Sequence, residues 1–119
     1  MNLQAGMHHT AGSALDSDPV LATIVARLID ELKPERIYLF GSRARGDDGS
    51  DSDYDLLVVL SHVTEPGYRL AQKAHAVLWD MGTATDVLVW SREAFDSRLH
   101  LKASLPSTVI REGNLLYAA

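Results

Sequence analysis

The chain has 119 residues, of which 46% are hydrophobic, and a formal net charge of −5. This length predicts one domain with its own core, and the absence of cysteine excludes disulfides and thiolate metal sites. No apolar run approaches the roughly 18 residues of a membrane span, and the N-terminus lacks the features of a signal peptide. We therefore expect a cytoplasmic protein. Because the acids outnumber the scattered Lys and Arg residues, a long nucleic-acid substrate is not expected.

The order of apolar patterns predicts an α/β (α+β) domain over residues 16–119, with a small mixed sheet flanked by helices. Residues 1–15 are small and polar and predict a flexible tail. Helical spacing and capping residues predict one helix that starts at 16–19 and stops at Pro34, one over 67–81 and one that follows a cap at Ser91. A further helical segment is predicted over 101–112, where Pro106 either interrupts the helix or marks its start. β-Forming runs predict strands at 36–40, 54–60 and 85–90, and a short edge strand at 115–117.

Two aspartates, Asp53 and Asp55, stand directly before the apolar run of residues 56–60. Because side chains alternate along a strand, both carboxylates should project from one face. Two anions so close repel each other unless a cation lies between them, and Mg²⁺ suits such oxygen ligands. A solvated acidic loop is the alternative, and it fits the aspartates within residues 47–51 better, because those lie away from the strand.

A third acid, Asp86, lies one residue into the third predicted strand and is followed by apolar residues. An acid in this position is costly unless it is solvated or bound to a cation. If the second and third strands are neighbours, Asp86 can converge with Asp53 and Asp55. Three carboxylates can hold two ions roughly 4 Å apart, which is a geometry used for in-line displacement at phosphorus. Asp80 is the rival third acid, but it falls on a predicted helix, so we favour Asp86.

The pair Gly41-Ser42 ends the first predicted strand, and ten residues separate it from Asp53. Glycine lets the backbone approach a ligand closely, and Ser42 can offer its hydroxyl and backbone N–H to phosphate oxygens. Arg43 and Arg45 could neutralise the charge of a triphosphate through forked hydrogen bonds. A salt bridge to the local aspartates is the alternative for both arginines.

Other phosphate-binding and metal-binding motifs do not fit. The sequence contains neither Gly-x-x-x-x-Gly-Lys nor Gly-x-Gly-x-x-Gly. An EF-hand loop that starts at Asp51 would need glycine where Leu56 stands and glutamate where His62 stands.

The spacing of Gly41-Ser42 and Asp53-Tyr54-Asp55 resembles the signature of the DNA polymerase beta-like nucleotidyltransferases. Three runs are similar to those of the minimal nucleotidyltransferases, also called MNT antitoxins: Gly-Ser-Arg-Ala-Arg-Gly at 41–46, Ser-Asp-Tyr-Asp-Leu at 52–56 and Val-Ile-Arg-Glu-Gly-Asn-Leu-Leu-Tyr at 109–117. The resemblance extends over roughly residues 17–117.

This resemblance implies the nucleotidyltransferase fold, with Asp53, Asp55 and Asp86 binding two Mg²⁺ ions and with Gly41 and Ser42 holding the phosphates of ATP. Asp86 would also help to activate the attacking hydroxyl. The implied reaction transfers AMP from ATP and releases pyrophosphate, and positioning and charge neutralisation do most of the catalysis.

The resemblance also implies a partner, because larger relatives carry a second domain for the acceptor and this chain has no room for one. The implied partner is a HEPN-type toxin, and the implied acceptor is a tyrosine hydroxyl on it. Two alternatives stay open: an antitoxin that neutralises its toxin by contact alone, and a stand-alone transferase for a small-molecule hydroxyl. The missing second domain argues against the latter, and the oligomeric state is open.

Overall fold

A computed structural model of the protein describes residues 15–46 and 53–119. Its helices are α1 (Pro19–Leu32), α2 (Ser42–Arg45), α3 (Gly67–Leu78), α4 (Arg92–Ser97) and α5 (Leu105–Glu112). Its strands are β1 (Arg36–Phe40), β2 (Tyr54–Leu60), β3 (Thr85–Ser91) and β4 (Asn114–Ala118). The prediction of a small mixed sheet flanked by helices is confirmed.

The four strands form one sheet in the order β3-β2-β1-β4. Strand β1 pairs antiparallel with both β2 and β4, whereas β2 and β3 are parallel. The second and third strands are therefore neighbours, which is the condition that the sequence argument for Asp86 required. In their register, Asp55 pairs with Asp86.

The two faces of the sheet are covered by different helices. On one face, which we call the α1 face, Tyr54, Leu56, Val58 and Leu60 pack in a core with residues of α1 and α3. On the other, the α5 face, the β2 residues Leu57 and Val59 pack in a core with Phe95 of α4 and Val109 of α5. Because side chains alternate along β2, Asp55 belongs to the α5 face and Tyr54 to the α1 face.

Capping side chains set the starts of three helices. Asp18 Oδ1 accepts a hydrogen bond from Leu21 N at 3.1 Å at the start of α1, and Ser91 Oγ accepts one from Ala94 N at 3.0 Å at the start of α4. Ser104 caps α5 in the same way, and this helix begins at Leu105, so Pro106 lies in its first turn and marks its start rather than interrupting it. Each cap satisfies an N–H that has no partner within its helix.

The helix predicted over 67–81 keeps α-helical form only to Leu78 and ends in a 3₁₀ turn at Trp79–Met81. Gly82 follows with φ 72°, the left-handed conformation that commonly ends a helix. The predicted edge strand at 115–117 is also longer than expected, because β4 runs from Asn114 to Ala118 and so adds one residue on each side.

Two segments, 1–14 and 47–52, lie outside the described residues. The flexible tail at 1–15 and the solvated acids within 47–51 therefore stay predictions, although Leu15 packs against the core. Within the described part of the chain, the helices are too short or too polar for any of them to cross a membrane.

Candidate active site

The turn after β1 brings the backbone of Gly41 against the carboxylate of Asp55. Gly41 has φ 78° and ψ −162°, a conformation that only glycine adopts readily. A Cβ atom added there would overlap Asp55 Oδ2, and it would stand 3.2 Å from Cγ and 3.3 Å from Cβ of the same residue. The close approach of the Gly41 backbone to a ligand stays a prediction, but the contact with Asp55 joins the expected phosphate-binding turn to an acid.

Ser42 is the first residue of α2, a single helical turn. The Gly41 carbonyl accepts hydrogen bonds from Ala44 N at 3.1 Å and from Arg45 N at 3.2 Å, and Gly46 ends the turn with φ 77°. Ser42 is half-buried and adjoins the Gly41 backbone. Its hydroxyl therefore lies in the same turn that meets Asp55.

The three predicted acids lie at one end of the parallel strand pair. Asp55 is half-buried and stands opposite Asp86, which is exposed, while Asp53 is exposed and directly precedes β2. Burial raises the pKa of Asp55, and the negative charges of Asp86 and Asp53 raise it further, whereas Arg45 lowers it. Two carboxylates and one cation thus act electrostatically on Asp55.

The carboxylates form an open group rather than a closed set of ligands. Across residues 15–46 and 53–119, no three His, Asp or Glu side chains are gathered closely enough to hold a metal ion as they stand. Asp53 and Asp86 are exposed, and exposed side chains change rotamer readily. Oxygen ligands suit Mg²⁺, and a divalent cation would remove the repulsion that raises the Asp55 pKa. The donor chemistry therefore fits a magnesium site.

The two candidate arginines lie on different sides of the sheet. Arg43 stacks over the ring of Tyr54, with its Cζ 4.0 Å from the ring centroid, and so lies on the α1 face, opposite to the face of Asp55. Arg45 is exposed, lies 3.9 Å from Glu112 and acts electrostatically on Asp55. Of the two, Arg45 is the better placed to meet a triphosphate beside the acids.

The rival acid, Asp80, belongs to a different part of the molecule. Its Oδ1 accepts a hydrogen bond from Arg27 Nη1 of α1 at 2.5 Å, and this pairing lowers the pKa of Asp80. Asp80 is therefore held against α1, which covers the α1 face, whereas Asp86 stands in register with Asp55. This geometry supports the choice of Asp86 as the third acid.

Three residues near the candidate site were not predicted from the sequence to contribute to it: Asp18, Tyr54 and Glu112. Tyr54 is buried and donates its hydroxyl hydrogen to Asp18 Oδ2 at 2.7 Å. The sequence carried one signal for Tyr54: because side chains alternate along a strand, a residue between Asp53 and Asp55 must point to the face opposite to theirs. The contacts between distant segments have no local signal.

A family model described as "Nucleotidyltransferase domain" matches residues 21–111. The chain belongs to the nucleotidyltransferase family. It is 34% identical over 83 residues to a Methanocaldococcus jannaschii protein named "Putative protein adenylyltransferase", covering 70% of this chain and 78% of that one. The chain is thus a nucleotidyltransferase enzyme, as its signature predicted.

Solved structures share its fold. One is a chain in a crystal structure of a toxin–antitoxin with AMP-PNP, with a TM-score of 0.53 and 25% identity, covering 82% of this nucleotidyltransferase and 73% of that chain. Another is a chain of the complex of a tri-AMPylated Shewanella oneidensis HEPN toxin with an MNT antitoxin. Its TM-score is 0.51 at 23% identity, covering 84% of this chain and 71% of that one, and this likeness shows the fold alone.

Proposed function

We propose that this nucleotidyltransferase transfers AMP from ATP to a tyrosine hydroxyl of a partner protein, as an MNT-type antitoxin acting on a HEPN-type toxin. The name of the Methanocaldococcus jannaschii relative supports a protein acceptor. The similarity to a chain of a toxin–antitoxin complex with AMP-PNP supports both the partner class and an adenine nucleotide. The proposed place of action is the cytoplasm, where ATP and Mg²⁺ are available.

The observation that carries the proposal is the meeting of three elements at one end of the sheet. Asp55 of β2 stands opposite Asp86 of β3, and the backbone of Gly41 abuts the Asp55 carboxylate. A glycine turn in contact with one acid, with a second acid opposite it on the next strand, suits the transfer of a phosphoryl-containing group, in which positioning and charge neutralisation dominate.

In this proposal, Asp53, Asp55 and Asp86 hold Mg²⁺, which neutralises charge on the phosphates when bound. The backbone of Gly41 and the hydroxyl of Ser42 orient phosphate oxygens beside Asp55. Arg45 adds positive charge at the same end of the sheet, because its charge already acts on Asp55.

Asp86 is proposed to accept the proton of the acceptor hydroxyl. The hydroxyl oxygen then forms a bond to the α-phosphorus of ATP, the bond from that phosphorus to the bridging oxygen breaks, and pyrophosphate leaves. Asp86 is exposed on β3, which is an edge strand of the sheet. A side chain presented by another protein can therefore approach it.

The test incubates the purified chain with labelled ATP, Mg²⁺ and a HEPN-type protein encoded beside it. We expect label on a tyrosine of that protein, located by peptide mapping. Asp53→Asn should abolish the transfer, while Asp80→Asn, which removes an acid paired with Arg27 away from the site, should not. If the partner gains no more label than with Asp53→Asn, the proposed transfer is wrong.

The same variants separate catalysis from neutralisation by contact. Cells that produce the toxin together with the Asp53→Asn, Asp55→Asn double variant should be inhibited if AMP transfer is what protects them. Growth at the wild-type rate would show that contact is sufficient and would favour the binding-only antitoxin.

A further inference from the structure

We propose that Tyr54 is a positioning residue whose side chain, held between Asp18 and Arg43 on the α1 face, fixes Asp53 and Asp55 on the opposite face. This inference rests on the proposed function, because it assigns the metal-binding role to those two acids. It gives Arg43 a role other than contact with the triphosphate.

The first contact ties β2 to helix α1. Tyr54 is 5% exposed, and its hydroxyl donates a hydrogen bond to Asp18 Oδ2 at 2.7 Å. The other oxygen of the same carboxylate, Oδ1, accepts the capping hydrogen bond from Leu21 N at 3.1 Å. One carboxylate therefore holds both the start of α1 and the residue between the two acids.

The second contact ties β2 to the phosphate-binding turn. The guanidinium of Arg43 lies over the ring of Tyr54 at 4.0 Å, a distance at which a cation is attracted to an aromatic face. Arg43 directly follows Ser42 in α2, so the stack fixes this turn relative to β2. Tyr54 thereby joins α1, α2 and the acid-bearing strand.

Apolar packing alone does not fill the space around these groups. A cavity of about 210 Å³ lies beside them and is lined by side chains that include Asp18, Arg43, Tyr54 and Asn114. With open volume at one side, the ring has its polar contacts with Asp18 and Arg43 in addition to its apolar packing to define its orientation. A shift of Tyr54 moves Asp53 and Asp55 with it, because both are its immediate chain neighbours.

A double-mutant cycle distinguishes this role from direct binding of ATP by Arg43. If Arg43 acts through its stack on Tyr54, then adding Arg43→Ala to a chain that already carries Tyr54→Leu should cause no further loss of kcat/KM. If Arg43 binds the triphosphate, the two losses in kcat/KM should multiply, and the loss from Arg43→Ala should fall on the KM for ATP.

The matched control is Tyr38→Phe. Tyr38 is also buried, at 6% exposed, and its hydroxyl also makes a hydrogen bond, but here it accepts, from Arg36 Nη1 at 3.1 Å. Tyr38 lies in the core of the α5 face, away from Asp18. We expect Tyr54→Phe to lower kcat about tenfold and Tyr54→Leu about 100-fold, the size of loss that a misplacement of about 1 Å causes, with a KM for ATP within about twofold of the wild type. Tyr38→Phe should leave both constants unchanged.

A second measurement does not depend on transfer. We expect the Mg²⁺ concentration that gives half of the maximal rise in melting temperature to increase about tenfold in Tyr54→Leu and not in Tyr38→Phe, because misplaced carboxylates are poorer ligands. An identical Mg²⁺ dependence in Tyr54→Leu and the wild type overturns the positioning role, whether or not AMP is transferred. A changed Mg²⁺ dependence without AMP transfer by the wild type would contradict the proposed function alone.

Discussion

Replacing Gly41 by alanine should impair catalysis far more than folding. The residue adopts φ 78° and ψ −162°, and holding a non-glycine residue in such a conformation costs about 1–3 kcal/mol. The new Cβ would also overlap the Asp55 carboxylate and displace it. Because a displacement of about 1 Å in a catalytic group can cost about 100-fold in rate, we expect kcat/KM for AMP transfer to fall at least that far.

The control for this prediction is Gly82→Ala. Gly82 has φ 72°, but a Cβ atom there would meet nothing within 4 Å. This variant therefore carries backbone strain without a contact to an acid, and its kcat/KM should stay within about threefold of the wild type, since only a loss of about 1 kcal/mol in stability is expected. Both variants are compared by release of pyrophosphate and by thermal unfolding. Equal activities in Gly41→Ala and Gly82→Ala would refute the argument from the Asp55 contact.

Three further predictions concern the acids and the edge of the sheet. Because the pKa of Asp55 is raised above its ordinary value of 3.8, the folded state favours the protonated carboxyl. The stability of the fold that depends on this proton is fully present below pH 3.8 and is lost as pH rises through the raised pKa. Asp55→Asn should thus raise the melting temperature at pH 7 without Mg²⁺ and not at pH 3, while abolishing transfer; a lower melting temperature at pH 7 would contradict this. If Asp86 is the metal ligand proposed above, Asp86→Asn should lower kcat at least about 100-fold in the transfer assay, because the loss of a metal ligand costs several kcal/mol in the transition state. Asp80→Asn should change kcat less than about twofold. Gly113→Ala would place a Cβ 2.7 Å from the Leu39 carbonyl oxygen, so urea unfolding should show a loss of about 1–3 kcal/mol; an unchanged midpoint would count against this contact.

The elements and the acid pair were predictable because they depend on short-range rules. Continuous runs of apolar, β-forming residues predicted β2 and β3, and the alternation of side chains placed Asp53 and Asp55 on one face. That the two strands are neighbours was a condition of the prediction for Asp86, and the structure sets Asp86 opposite Asp55. The shape of the turn also followed from local chemistry, because only glycine tolerates the conformation at Gly41.

The side chains around the acids were not predictable in the same way. The sequence suggested that Arg43 meets phosphates or local aspartates, but it gave no sign that the guanidinium also lies over the ring of Tyr54 on the α1 face. That position depends on the burial of Tyr54 and on its bond to Asp18, 36 positions earlier in the chain. Spacing also predicts which acids come near one another but not their rotamers, so it could not show that the carboxylates form an open group.

The parallel pairing of β2 with β3 has a consequence for the order in which the protein assembles. Parallel strands require a crossover, here residues 61–84, which include α3, and such long-range pairing forms later than a local hairpin. Asp55 and Asp86 therefore begin to repel only when β3 docks on β2. Since β3 is also an edge strand, we expect its first residues to fray before the rest of the sheet and to exchange their amide hydrogens fastest, and Mg²⁺ to slow that exchange.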